Sequence, residues 1–218
     1  MREKKTPYAR LAALAALVGA LLLPAPADAA RKSAKLKLHK GLFIAAVGET
    51  RPPVGFLDFC DRYPEECRPL GTAGEWKIRL TQERWALLQQ VNRFVNRRIR
   101  PRTDMEIYNR PEVWEYPNAG VGDCEDYVLL KKRYLEGLGF PAEALLITVL
   151  LDENGGGHAV LMARTDRGDL ILDNRRDKIL PWHRTGYRFL MRQSQRDPGK
   201  WVALTHDPRK RPRIFGQN

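Results

Sequence analysis

The chain has 218 residues, 43% of them hydrophobic and 29% charged. That length fits one domain with short extensions, long enough to bury a core without staples, and the composition excludes wholesale disorder. A formal net charge of +12 and a count of three cysteines are the less ordinary numbers.

Arg2, Lys4, Lys5 and Arg10 precede an apolar run from Leu11 to Leu23, and Ala27-Asp28-Ala29 follows a Pro24/Pro26 break. This is the charged, apolar and small-x-small order of a cleavable export signal over residues 1–29. The run is shorter than the ~20 residues that a membrane span needs, and no later segment reaches that length, so no transmembrane span is expected after cleavage. The expected protein is periplasmic or secreted, if the host is bacterial. Cleavage brings the charge to about +10, concentrated towards the C-terminus. No helix-turn-helix, zinc-finger or RNP pattern accompanies it, so nucleic acid is not expected as a partner. An acidic protein, an anionic envelope surface or a simple solvated face remain open.

Residues 30–49 read as an N-terminal extension, in which Leu42 to Val47 forms a short strand or begins a helix. Cys60 and Cys67 flank Pro64 in a compact segment. In an oxidising compartment they are expected to pair, the other reading being two free thiols; their spacing does not fit a CxxC site. Trp85, Leu88, Val91 and Val95 recur on one face and predict an amphipathic helix over residues 81–98, capped by Thr81 and stopped by Pro101. Trp85 and Phe94 are read as core residues. Residues 102–121 read as a loop with a short turn.

A helix is expected from Cys124, acidic in its first turn, basic in its last and ended by Gly137 or Gly139. Three strands follow, at 144–151, 158–165 and 170–173, with a turn at 166–169. One helix followed by an antiparallel meander is an α+β plan. Scattered aromatics and one further strand fill the remainder, and residues 191–218 are taken as a basic tail.

Cys124 opens its helix, where backbone N–H groups favour a thiolate, while Asp123, Glu125 and Asp126 oppose one. If Cys60 and Cys67 pair, Cys124 is the odd cysteine out. With the 166–169 turn closed, His158 and Asp173 come close at the open end of the hairpin. A helix packing Cys124 onto that pair completes the residue set of a Cys-His-Asp nucleophile. Asn174 competes with Asp173 for the third place, which strand phase gives to Asp173. No second oxyanion donor is legible beside the Cys124 N–H; Trp114 is only a guess at neighbouring density. His39, His183 and His206 lack such context, and the segment from Asp152 is no EF-hand, since Ala163 stands at its twelfth position.

Gly122-Asp123-Cys124-Glu125-Asp126-Tyr127, Gly157-His158-Ala159-Val160-Leu161 and Gly168-Asp169-Leu170-Ile171-Leu172-Asp173-Asn174 resemble the bacterial transglutaminase-like cysteine peptidases, as does the Cys60 to Cys67 segment. The resemblance covers about residues 50–183, and the peptidase domain is placed at 50–190. It implies a papain/transglutaminase-like core with the nucleophile at a helix N-terminus packed on an antiparallel sheet. It implies Cys124 as nucleophile, His158 as general base and Asp173 as orienting acid. In LapG-type periplasmic members the acids beside the nucleophile are implicated in calcium binding; here these are Asp123 and Glu125. Such members cleave a surface adhesin at a di-alanine site, releasing biofilm cells, and an inner-membrane cyclic-di-GMP receptor sequesters them. A protein substrate in the cell envelope is therefore expected. A transglutaminase-like acyl transferase and a non-catalytic basic envelope binding module are the alternatives.

Overall fold

The computed structural model describes residues 42–71 and 76–204. The expected export signal and the basic run after Leu204 lie outside the described residues. By its contacts the chain divides into Met1–Lys37, outside that range, and Leu38–Asn218, to which everything below belongs.

The first described strand, β1, is Gly48–Thr50, so the 42–47 segment is neither strand nor helix. α1 follows at Val54–Arg62 and leads through a 3-10 turn, Pro64–Cys67, that a Cys60–Cys67 disulfide ties back to it. α2 spans Gln82–Arg98, with the Thr81 side chain accepting the Arg84 N–H at 3.1 Å as its cap. Its apolar stripe buries Leu88, Val91 and Val95, whereas Phe94 lies off that stripe. Phe94 is 48% exposed, edge-on to Tyr134, which corrects its reading as a core residue.

The segment expected as loop holds more structure. β2 (Arg100–Pro101) pairs in parallel with β3 (Val121–Gly122), and between them sits α3, Asp104–Tyr108. Thr103 and Glu106 form a capping box that makes so short a helix possible. α4 is Cys124–Gly137. It runs past Arg133, so its basic residues fall mid-helix rather than in the last turn.

β4 (Leu145–Leu151), β5 (Gly157–Thr165) and β6 (Gly168–Leu172) form the expected meander. β7 is Leu180–Pro181, β8 Arg188–Gln193 and β9 Trp201–Ala203. All seven strands of the main sheet pair antiparallel, in the order β1-β9-β8-β4-β5-β6-β7. The main sheet takes in residues on both sides of the 50–190 segment. β1 begins before residue 50, and β8 and β9 extend past residue 190, with Trp201 fully buried.

The β5–β6 register sets where His158 and Asp173 sit. Thr165 pairs with Gly168 and Leu161 with Leu172, because the turn needs two unpaired residues. His158 and Asp173 are thus diagonal rather than opposite, on one face of the hairpin.

Each face of the sheet buries one side of β4 and β5. Leu145, Ile147, Val149, Ala159, Leu161 and Ala163 meet Phe56 of α1, Leu88 and Val95 of α2, and Val128 and Leu135 of α4. Leu146, Leu150, Val160, Met162, Ile171 and Phe189 form a second cluster with Ile44 and Leu204. Each fully buried Leu or Val contributes about 1.5–3 kcal/mol, and segments from before and after Cys124 cover β4 and β5 from both sides.

Candidate active site

Cys124 is the first residue of α4, and Asp123 occupies the cap position without capping. The Asp123 carboxylate turns instead to α3, accepting the Asp104 N–H at 3.3 Å. Gly122 is required here, since a Cβ would stand 2.6 Å from the Asp126 carboxylate. The half-buried Cys124 thiol donates to Glu125 Oε2 at 3.1 Å. Burial, then the charges of Glu125 and Asp123, push that thiol well above its usual range. The helix dipole, expected to favour a thiolate, is outweighed in this state.

His158 and Asp173 are both buried and joined, Nε2 to Oδ1, at 2.9 Å. The same Asp173 oxygen accepts the Arg175 backbone N–H at 3.0 Å. Its other oxygen accepts the Tyr187 hydroxyl at 2.6 Å, and Arg176 Nε lies 3.4 Å away. Burial alone would raise this carboxyl; the hydrogen bond and charge of His158, with the Tyr187 hydroxyl, hold it at about 2 instead. Asn174 lines the cleft, but Asp173 is the residue that bonds the imidazole. His158 Nδ1 is buried without a hydrogen-bond partner. With Nε2 donating to Asp173, Nδ1 carries the free lone pair.

A second group of side chains gathers where α3 meets the start of α4. Carboxylate oxygens of Asp104, Asp123 and Glu125 all lie within 4.8 Å of one another. Asp104 is buried, one of its oxygens accepting the Val113 N–H and the other unpartnered. One Asp123 oxygen is likewise buried and unpartnered. Glu112 adds a fourth acid, whose Oε1 accepts the Trp114 indole N–H at 2.6 Å. Burial, ahead of their mutual repulsion, lifts Asp104 to about 6 and Glu112 to about 7. Asp123 and Glu125 are raised as well, by burial first and, for Glu125, then by the charges of Asp123 and Glu112. Hard oxygen donors with orphaned lone pairs suit a divalent cation such as calcium.

Both groups open onto one cleft of about 930 Å³, lined by Cys124, His158, Asp104, Glu112, Asp123 and Glu125 among others. Its apolar wall includes Val149, Leu150, Leu190 and Met191, where the β4–β8 register shifts in a bulge.

A family model described as the bacterial transglutaminase-like cysteine proteinases matches residues 46–209. The chain belongs to that family. This transglutaminase-like cysteine peptidase is an α+β protein, its helices packed on an antiparallel sheet. Among solved structures it is similar to Legionella pneumophila LapG, with 28% identity over 56% of this chain and 71% of that one, at a TM-score of 0.48. The calcium-bound form of that protein matches at 28% identity over 61% of this chain and 75% of the other, TM-score 0.48. The EGTA-treated form gives 26%, 60%, 75% and 0.47. No curated protein matches the chain.

Of the residues singled out in this peptidase's sequence, Cys124, His158, Asp123 and Glu125 line one cleft, and Asp173 is bonded to His158. Trp114 is buried beside Phe56 and Trp201, with its N–H committed to Glu112. Asp104 and Glu112 were not legible as site residues. Thr103 and Glu106 signalled a helix start at Asp104, but nothing in the local pattern showed that the fold brings it against Asp123. Among the described residues, no helix is long and apolar enough to cross a membrane.

Proposed function

We propose that this cysteine peptidase works through Cys124 as nucleophile, His158 as general base and Asp173 as orienting acid. The observation that carries this reading is the buried His158 Nε2–Asp173 Oδ1 hydrogen bond, which leaves Nδ1 free in a cleft that Cys124 also lines. Cys124 Sγ attacks a peptide carbonyl carbon while its proton passes to His158 Nδ1, and the imidazolium then protonates the departing amine. Water hydrolyses the thioester, releasing the acid and restoring the thiol. The Cys124 backbone N–H, at a helix N-terminus, is one donor for the oxyanion.

Asp104, Asp123 and Glu125 fit a calcium ion, and Glu112 stands close by. Such an ion supplies positive charge that offsets the carboxylate repulsion now opposing a thiolate. The chain's own part is to keep these acids dry and convergent, and to withdraw Glu125 from the thiol when its oxygens are otherwise engaged. The export signal in residues 1–29 supports a periplasmic or secreted enzyme acting on an envelope protein. By family likeness that substrate is a surface adhesin, and a cyclic-di-GMP receptor of the inner membrane is a partner.

The test is proteolysis of an envelope-protein fraction, read by mass spectrometry of newly formed termini. Wild-type enzyme in millimolar calcium is expected to create hydrolysed ends that Cys124→Ala does not. Equal cleavage by the variant overturns the triad. Amine-capped ends in place of free acids overturn hydrolysis in favour of acyl transfer, which shares the chemistry up to the thioester.

A further inference from the structure

Tyr187 lies outside every sequence motif considered above, yet it touches both His158 and Asp173. Its hydroxyl donates to Asp173 Oδ2 at 2.6 Å, opposite the oxygen that holds the imidazole. Its ring meets the His158 ring edge-on, with centroids 5.8 Å apart and planes at 80°. Tyr187 is itself fixed from several sides. Arg176 Nη2 donates to its hydroxyl at 2.8 Å, and the guanidinium stands 4.8 Å from the ring centroid. Its backbone N–H donates to Thr185 Oγ1, which in turn donates to the Trp182 carbonyl at 2.8 Å. Gly186, at φ +81°, makes the turn that delivers Tyr187 to the start of β8. β8 lies two strands from β5, across β4, so this contact unites distant parts of the sheet.

Two rotations can spoil a His–Asp pair: the carboxylate can swing about its Cβ–Cγ bond, and the imidazole can turn about χ2. The hydroxyl stops the first and the ring the second. A phenol can do both only while it remains a donor, and burial, then its bond to Asp173, raises the Tyr187 hydroxyl well above its usual range.

We propose that Tyr187 is a positioning residue of this peptidase, clamping Asp173 through its hydroxyl and His158 through its ring so that Nδ1 is presented to the thiol. The inference rests on the triad reading above and adds to it a residue that touches neither substrate nor nucleophile.

The test compares wild type, Tyr187→Phe and Tyr187→Leu, each in millimolar calcium. Three quantities are read: the rate of Cys124 alkylation by iodoacetamide at pH 7, the solvent exchange of the His158 Nε2–H in histidine-labelled protein by NMR, and Tm. Tyr187→Phe keeps the ring and loses one buried hydrogen bond, so alkylation is expected to slow about ten-fold and Nε2–H exchange to speed by a similar factor, with Tm within a few degrees. Tyr187→Leu loses the ring as well and is expected to slow alkylation further. Unchanged alkylation and exchange in Tyr187→Phe overturn the proposal. So does a loss of reactivity that follows Tm alone across both variants. If wild-type Cys124 reacts no faster than glutathione, it is the triad reading that has failed. If wild type reacts fast and Tyr187→Phe equals it, the triad stands and the clamp does not.

Discussion

Cys124 sits between two opposed influences: α4 offers it N–H groups, and its thiol is held protonated as a hydrogen-bond donor to Glu125. The side chains around it decide which prevails, and the same holds for Asp173. Asp173→Asn keeps the shape of the side chain, but its amide faces either His158 or Tyr187 with a donor where an acceptor stood. Turnover is expected to fall about 10²–10⁴-fold with little change in KM, measured on a peptide substrate once one is identified. Lys131 of α4 is a second residue whose setting sequence did not show. It is fully buried, and its amine has no hydrogen-bond partner. Burial lowers it to about 7, against the opposing pull of Asp173 and Asp177. The unfolded chain therefore binds a proton between about 7 and its ordinary 10.5 that the folded chain does not. This contribution to stability is full above that range and is lost as pH falls through 7. Urea unfolding from pH 10 to pH 6 is expected to show a smaller loss for Lys131→Met than for wild type. Lys131→Met is also expected to be the more stable protein at pH 6.

At the scale of elements, the junction of α3 and α4 matters most. α4 and the β4–β6 meander were legible because each is long, periodic and bounded by glycine or charged turns. α3 was not, because five residues between prolines cannot establish a helical period. Only its capping box betrays it. Yet α3 carries Asp104, whose carboxylate converges with those of Asp123 and Glu125. Adding millimolar calcium is expected to raise Tm by several degrees in wild type, since an ion at 100 times its Kd stabilises by about 2.7 kcal/mol. Asp104→Asn is expected to lose most of that rise, as followed by differential scanning calorimetry. An equal rise in the variant removes Asp104 from the ion site. The Cys60–Cys67 disulfide works at this scale too, by holding the 3-10 turn to α1. A double Cys→Ser variant is expected to be about 2–3 kcal/mol less stable, measured by urea denaturation under non-reducing conditions.

Across the whole molecule, the sheet joins segments from both ends of the described chain. β1 pairs only with β9, and β9 pairs with β8, which carries the start of the cleft's apolar wall. Residues 191–204, read from sequence as the beginning of a tail, thus complete the sheet and bury Trp201 against Phe56 and Trp114. Truncation after residue 190 is expected to abolish cooperative unfolding, as followed by far-UV circular dichroism. A cooperative transition in the truncated chain contradicts this account of β9. Part of the charge that concentrates towards the C-terminus belongs to the described fold. Arg192 is buried in the sheet, lowered by that burial to about 10, with the Asp169 charge acting the other way.

The sequence by itself determined the helix that begins at Cys124, the meander that follows it, and the closeness of His158 to Asp173. Each of these follows from contacts within a few dozen residues, where periodicity and turn chemistry are enough. The family resemblance named the chemistry; compartment and spacing made a Cys60–Cys67 disulfide the expected one of two readings, and the structure holds it. Only the tertiary structure decided that Asp104 and Glu112 join Asp123 and Glu125, that Lys131 is buried, and that Tyr187 holds the His–Asp pair. Those juxtapositions arise from packing α3 against α4, α4 against β5 and β8 beside β4. Such packing depends on complementary surfaces of whole elements, which no local pattern of residue types records.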